Sequence, residues 1–133
     1  MLPTPFSNSM AQSDLFFKWY DRLVGSKDYE KEISCIVSLL KRCGSESVSR
    51  VLEVGAGTGN HSLELGRRGF QVVGLDTDPR MLTIAESKLA TSDLPNVRLQ
   101  CAAVQSLREN GFDVALALFN VINYPDSWGK LTD

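Results

Sequence analysis

The stretch Val51-Leu-Glu-Val-Gly-Ala-Gly-Thr-Gly-Asn60 determines how this chain folds. A short apolar run that contains Glu53 leads into three glycines that alternate with small residues, and an apolar-periodic segment with Leu63 and Leu65 follows. This order predicts a strand, a tight turn and a helix N-terminus. Glycines let the backbone adopt positive φ and approach a ligand closely, while a helix start offers free N–H groups and a positive dipole end. The stretch therefore predicts a loop that binds a negatively charged ligand group.

The spacing of the glycines separates two kinds of nucleotide loop. A dinucleotide fingerprint, G-x-G-x-x-G, would need its third glycine at position 60, which is Asn60. Here the third glycine is Gly59, and Glu53 stands two residues before Gly55. This pattern resembles motif I, (D/E)-x-G-x-G-x-G, of the class I S-adenosylmethionine-dependent methyltransferases. The resemblance implies that the loop holds the methionine part of the cofactor, and it disfavours NAD.

The next segment extends the resemblance. An apolar run over residues 70–75 predicts a second strand that ends at Asp76. In the family the acid at this position accepts hydrogen bonds from both ribose hydroxyls, although an NAD site would also use an acid here. The segment Thr77-Asp-Pro-Arg-Met-Leu82 is similar to the family's D-x-S-x-x-M-L stretch. Asp78 is predicted to cap a helix with a proline at its first position, and Met81 falls where the family packs an apolar side chain on the adenine.

The N-terminal part carries a weaker similarity. The Trp-Tyr-Asp stretch that ends at Asp21 resembles an aromatic-Tyr-Asp stretch that closes over the cofactor in several small-molecule methyltransferases. An aromatic face near a sulfonium gains cation–π attraction. Packing into the core is an equal alternative for Tyr20 and the favoured one for Trp19. Glu53 is expected to orient the loop and the methionine ammonium group. The resemblance places S-adenosyl-L-methionine against Tyr20, Glu53, Gly55, Ala56, Gly57, Gly59, Asp76, Thr77, Met81, Val104 and Phe119.

Two positions near this site are ambiguous. Many relatives carry an acid after the third strand that accepts from the adenine amino group, but Ala103 occupies that place. Backbone N–H groups, Gln105 or Ser106 would then hold the adenine. The only histidine, His61, follows the glycine loop. It could touch the ligand or act as a base, but a solvated first-turn residue is the favoured interpretation.

The order of elements predicts an α/β fold, a Rossmann-like doubly wound parallel sheet with ligands at the carboxyl ends of the strands. It corresponds to strands one to four of the seven in the class I methyltransferase fold. We expect helices over 11–24, 28–43, 61–68 and 79–90, strands over 50–54, 70–76, 97–101 and 112–118, and a turn or short helix over 104–109. Residues 1–10 are expected to form a flexible tail, and residues 11–133 a truncated cofactor-binding domain.

The missing strands leave three alternatives open. The chain is a fragment of a longer enzyme, a truncated gene product whose edge is covered by its own copy or a partner, or a stand-alone small domain. Strand four, with Phe112, Val114, Leu116 and Leu118, is too apolar for a solvated edge. We therefore expect a homo-oligomer or a partner chain along this strand.

Composition narrows the class of protein further. The 133 residues carry a net charge of −2 without a basic stripe, so no nucleic-acid groove is expected. No apolar stretch is long enough to span a bilayer. The three cysteines show no C-x-x-C spacing and are expected to be reduced thiols in the core, which together with the lack of a signal peptide suggests a cytoplasmic protein. Paired catalytic carboxylates and metal-spaced clusters are absent. The expected function is methyl transfer to a small molecule, with an amine nitrogen as one candidate acceptor. The alternative is an inactive cofactor-binding module that recruits a partner.

Overall fold

The computed structural model describes residues 14–23, 25, 27–44 and 47–118, with side chains from residue 19 onward. The predicted tail over residues 1–10 and the predicted site residue Phe119 lie outside the described residues. Within the described ranges, helices and strands alternate from the first strand onward. The elements are α1 (Asp14–Leu23), α2 (Tyr29–Arg42), β1 (Arg50–Val54), α3 (Asn60–Arg67), β2 (Gln71–Asp76), α4 (Pro79–Ala90), β3 (Val97–Cys101), a short 3-10 turn (Val104–Ser106) and β4 (Val114–Ala117).

The four strands form one parallel sheet in the order β3-β2-β1-β4. The chain moves outward from β1 to β3 and then crosses back to place β4 on the other side of β1. The switch point therefore lies between β1 and β4, where ligands of doubly wound sheets bind. The predicted α/β fold with a doubly wound parallel sheet is confirmed for these four strands.

Apolar side chains of successive strand residues pack on opposite faces of the sheet, as the pleat requires. One face packs against α2 and α3 through a cluster of Ile33, Val51, Leu65, Val72 and Val97. The opposite cluster holds Leu52, Val73 and Leu75, covered by the chain between β3 and β4, including Val104, Leu107 and Phe112. In the described residues, one face thus carries helices and the other carries a loop.

Several helix ends follow the predicted chemistry. Asp78 caps α4 by accepting a hydrogen bond from the backbone N–H of Arg80 at 2.9 Å, and Pro79 occupies the first turn. Gly44 follows α2 with φ of 76°. These caps fix where the connecting loops start, and hence which residues reach the carboxyl ends of the strands.

In the middle of β2, Gly74 lies so close to its neighbours that there is no room for a side chain. A Cβ added at Gly74 would lie 2.7 Å from Ser62 Oγ, 2.9 Å from Leu99 Cδ2 and 3.1 Å from Ala56 Cβ. The missing side chain therefore lets the first turn of α3 approach the sheet. This close approach brings Ser62 to the end of β1.

Three further findings concern the surface of the described residues. Trp19, predicted to lie in the core, is 38% exposed, and the Arg22 guanidinium lies 4.7 Å from its ring centroid. The prediction was wrong because α1 leaves this residue at the surface. The three cysteines, also predicted to lie in the core, are exposed. None of the described helices is long and apolar enough to cross a membrane.

Candidate functional site

The glycine loop between β1 and α3 is held open by its backbone conformation. Gly55, Gly57 and Gly59 all have positive φ, at 75°, 57° and 82°. Between them, the Ala56 N–H donates to the carbonyl of Leu75 at 2.7 Å, and the Ala56 carbonyl accepts from the Gly59 N–H at 2.9 Å. Ala56 therefore anchors the loop to β2 while its neighbours turn the chain into α3.

Two of the glycines serve different purposes. A Cβ at Gly57 would meet nothing within 4 Å, so this position faces open space. A Cβ at Gly59 would lie 2.9 Å from the Cβ of Ala85 in α4. Gly59 is therefore required for contact between the loop and a helix, whereas the room beside Gly57 is available to a ligand.

Asp76 connects the end of β2 to the glycine loop. Its Oδ2 accepts from the backbone N–H of Gly57 at 2.8 Å, and its Oδ1 accepts from the N–H of Asp78 at 2.9 Å. A carboxylate offers about four lone-pair sites, so each oxygen retains one for a further donor. The half-buried carboxylate is thus fixed in orientation and can still accept two hydroxyl groups.

Glu53 lies under the loop and not in it. Only 1% of this residue is exposed, and its Oε2 accepts a hydrogen bond from the hydroxyl of Ser62. Its Oε1 lies 3.5 Å from Nδ1 of His61. Glu53 therefore holds the first turn of α3 against β1, which fits the predicted orientation of the loop. Contact with a methionine ammonium group stays a prediction.

His61 lies between two carboxylates. Its Nε2 is 2.6 Å from Oε2 of Glu32 in α2, and its Nδ1 faces Glu53 in β1. Tyr29 packs edge-on against the ring at a centroid distance of 4.8 Å, and Lys27 pairs with Glu32 at 3.4 Å. The favoured interpretation of His61 as a solvated residue was wrong, because α2 covers it and leaves it buried.

The surroundings of His61 favour its charged form. Burial by itself would lower the pKa of the imidazole, but hydrogen bonds to Glu53 and Glu32 and the charge of Glu53 outweigh burial and raise it. An imidazolium at this point compensates the buried charge of Glu53, which would be unfavourable without a partner. The array ties α2, α3 and β1 together beneath the loop.

We expect the stability of the folded chain to fall as the pH rises through the pKa of His61. Because folding raises this pKa, protonation favours the folded state, so the stabilisation is complete below the unfolded-state value and is lost above the folded-state value. As the only histidine, His61 gives an unambiguous ring resonance in an NMR titration. Glu32→Gln should move the titration to lower pH. A ring that titrates below the ordinary value of about 6.5 would contradict the prediction.

A second polar cluster, the Asp21 cluster, consists of Asp21, Thr58, Asn60 and Lys88. Oδ1 of Asp21 accepts from the hydroxyl of Thr58 at 2.6 Å and from the amide of Asn60 at 3.1 Å, while Oδ2 accepts from Nζ of Lys88 at 2.8 Å. Nζ of Lys88 also donates to Oδ1 of Asn60 at 2.7 Å. Burial alone would raise the pKa of Asp21, but the hydrogen bonds from Lys88 and Thr58 lower it.

The Asp21 cluster places α1 beside the loop. Tyr20, the predicted cofactor contact, is half-buried and immediately precedes Asp21. The sequence motif that contains Tyr20 drew attention to this helix, but no spacing signal linked Asp21 to Lys88, which lies 67 residues away. The partners of Asp21 were therefore missed from the sequence.

Of the residues predicted to border the adenine side of the site, Thr77, Met81 and Val104 are among the described residues and Phe119 is not. Met81 lies half-buried in the first turn of α4, and Thr77 is exposed directly after Asp76. Val104 begins the 3-10 turn and packs its side chain into the cluster with Leu52 and Val73. The hydroxyl of Ser106 donates to the carbonyl of Ala103 at 2.8 Å, so it stabilises the turn.

Comparisons with known proteins agree with this geometry. The sequence profile of a methyltransferase domain family matches residues 51–132. A protein of Geobacillus sp. (strain WCH70) named as a methyltransferase is 30% identical over 109 residues, which cover 82% of this chain and 44% of the relative. The chain belongs to this methyltransferase family. It spans less than half the length of that relative.

Solved structures show the same fold. An S-adenosylmethionine-dependent methyltransferase from Clostridium acetobutylicum aligns with a TM-score of 0.69 and 26% identity over 85% of this chain and 46% of its own. An amino pentose methyltransferase from Micromonospora echinaspora, solved with S-adenosylmethionine bound, aligns with a TM-score of 0.63 and 26% identity over 92% of this chain and 46% of its own. The predicted family and its cofactor are thereby confirmed at the level of the family.

Proposed function

We propose that this chain is the cofactor-binding part of an S-adenosylmethionine-dependent methyltransferase that methylates an amine nitrogen of a small molecule. The bond between Asp76 and the Gly57 N–H carries the proposal, because it brings the second-strand acid and the glycine loop into one cradle. Membership of the methyltransferase family supports the same activity.

The residues present fit the cofactor. The space beside Gly57 can receive its methionine part, and the start of α3 offers N–H groups to a carboxylate. The remaining lone pairs of Asp76 suit two ribose hydroxyls. Met81 and Thr77 follow Asp76 in the chain and would border the adenosine, with Tyr20 on α1 closing the site from the other side.

This site needs no general base of its own. When bound, S-adenosylmethionine supplies an activated methyl group, because its positively charged sulfur leaves as a neutral thioether. The task of the protein is to orient the acceptor in line with the methyl group and to exclude water. An amine acceptor would form the new bond with its nitrogen lone pair while the bond between the methyl group and sulfur breaks, and it would then lose a proton to solvent. One structural neighbour is an amino pentose methyltransferase, so its substrate is a small molecule that carries an amine.

Calorimetric titration of the full chain tests cofactor recognition. We expect S-adenosylmethionine and S-adenosylhomocysteine to bind and NAD to give no heat. The reverse preference would refute the proposal. The acceptor class is tested by transfer of a radiolabelled methyl group to amine and hydroxyl acceptors. This assay uses the chain joined to the remainder of a longer form, or bound to a partner that completes the sheet. Labelling of hydroxyl acceptors alone would refute the amine assignment.

Replacing Asp76 with alanine should weaken cofactor binding strongly. The change removes a charged acceptor worth about 1.5–3 kcal/mol, which corresponds to roughly ten- to hundredfold in affinity. It also frees the Gly57 N–H that the carboxylate holds. Asp78→Ala is the matched control, since it removes a neighbouring carboxylate and a helix cap but leaves Asp76 in place. Equal affinities of Asp76→Ala and the parent in calorimetry would exclude the ribose role.

A further inference from the structure

Over residues 19–23, the part whose side chains are described, helix α1 contacts the rest of the chain mainly through charged and polar groups. None of its described side chains, from Trp19 to Leu23, is buried, and Leu23 is 68% exposed. Helices are normally held in place by burial of an apolar face. The described contacts of α1 with the sheet domain instead centre on Asp21, which bonds to Thr58, Asn60 and Lys88.

The same cluster also restrains the loop that would hold the cofactor. Thr58 stands between Gly57, which faces open space, and Gly59, which packs on α4. Lys88 lies in the last turn of α4 and bonds to both Asp21 and Asn60. One ammonium group thus connects α1, the start of α3 and α4 around the glycine loop.

The strength of this connection is suited to a movable element. The side chains of Lys88 and Asp21 are 29% and 38% exposed, so their ion pair is weakened by water and salt. If α1 can move away from the loop, a site that binds its ligand only with α1 in place has an apparent affinity scaled by the fraction of molecules in that closed position. Any group that favours the closed position of α1 therefore raises cofactor affinity.

We propose that Lys88 is a positioning residue that holds α1 closed over the glycine loop through Asp21 and so sets the affinity of the site for its cofactor. The inference rests on the proposed function, because it concerns the same pocket. Lys88 acts through Asp21 and Asn60, and its effect on the ligand is indirect. Tyr20, which precedes Asp21, moves with the helix that Lys88 holds.

The test compares S-adenosylhomocysteine binding to the full chain and to variants of the cluster. Lys88→Met should lower the affinity about tenfold, within the usual range of coupling between sites, and mainly by speeding dissociation in stopped-flow experiments. Lys88→Arg should restore most of the affinity. Asp21→Asn should behave like Lys88→Met, since it removes the other charge of the pair. Adding salt should weaken binding to the parent more than binding to Lys88→Met, because the screened pair is absent from the variant.

Lys41→Met is the matched control, because Lys41 is also a basic residue in the last turn of a helix. It should bind like the parent. Parent-like affinity and dissociation for Lys88→Met would overturn the positioning role, as would an equal salt dependence of the two proteins. A parent chain that does not bind S-adenosylhomocysteine at all would instead overturn the proposed function, so the two failures are distinguishable.

Discussion

Gly57→Val is expected to abolish binding of S-adenosylmethionine. The backbone at this position has φ of 57°, where a β-branched residue is strained, and the added side chain would enter the open space beside the loop. It would also disturb the N–H that Asp76 holds. Titration calorimetry with S-adenosylhomocysteine, run beside the parent, measures the effect directly.

Gly44→Val controls for backbone strain. Gly44 has φ of 76°, and, as at Gly57, no atom lies within 4 Å of an added Cβ. It follows the end of α2 and is not part of the glycine loop. Both variants should lose a similar free energy of unfolding, on the order of 1–2 kcal/mol for the left-handed conformation. Only Gly57→Val should lose binding. Retention of near-parental affinity by Gly57→Val would show that the cofactor lies elsewhere.

The 133-residue chain by itself is expected to self-associate or to bind a partner along β4, and to transfer no methyl group. In the described sheet β4 pairs with β1 on one side only, and Val114 and Leu116 are half-buried although the strand lies at the edge. Unpaired edges of apolar strands invite pairing with another chain. The match covers 44% of the Geobacillus relative, so we expect acceptor binding by this chain to be incomplete. Light scattering coupled to size exclusion and a radiolabelled methyl-transfer assay measure both effects.

A lysine placed on the edge strand offers a sharper version of this test. Ala117→Lys introduces a charge at an exposed position of β4, and lysines on edge strands oppose pairing. The variant should shift the chain toward the monomer. Ala90→Lys, at an exposed position in α4, is the control and should leave the oligomeric state unchanged. A parent chain that stays monomeric and turns over an acceptor would contradict the prediction.

Sequence reasoning succeeded where local chemistry decides the outcome. The strand over 50–54 and the helix over 79–90 were predicted with the bounds that the structure shows. The strand is an apolar run that ends at a glycine turn, and the helix starts directly after a capping aspartate. The position of Asp76 beside the loop also followed from sequence, since parallel neighbouring strands end at the same edge of a sheet. These features depend on local sequence and on the pairing of consecutive parallel strands.

The remaining features depend on contacts that form only after the helices pack. His61 is buried because Glu32, 29 residues earlier in the chain, reaches over it from α2. Lys88 meets Asp21 across 67 residues. Neither pairing follows from a hydrophobic period or a turn signal. Trp19 shows the converse, since its aromatic character suggested the core while α1 leaves it exposed.

The close approach of Ser62 to Gly74 has a consequence for how this family can vary. A methyl group at position 74 would collide with the hydroxyl at position 62, and that hydroxyl donates to the enclosed carboxylate of Glu53. Replacing the glycine alone would therefore displace the serine and leave the carboxylate short of a donor. Positions 53, 62 and 74 should accordingly be exchanged together during divergence, and libraries that vary them singly should return mostly destabilised clones.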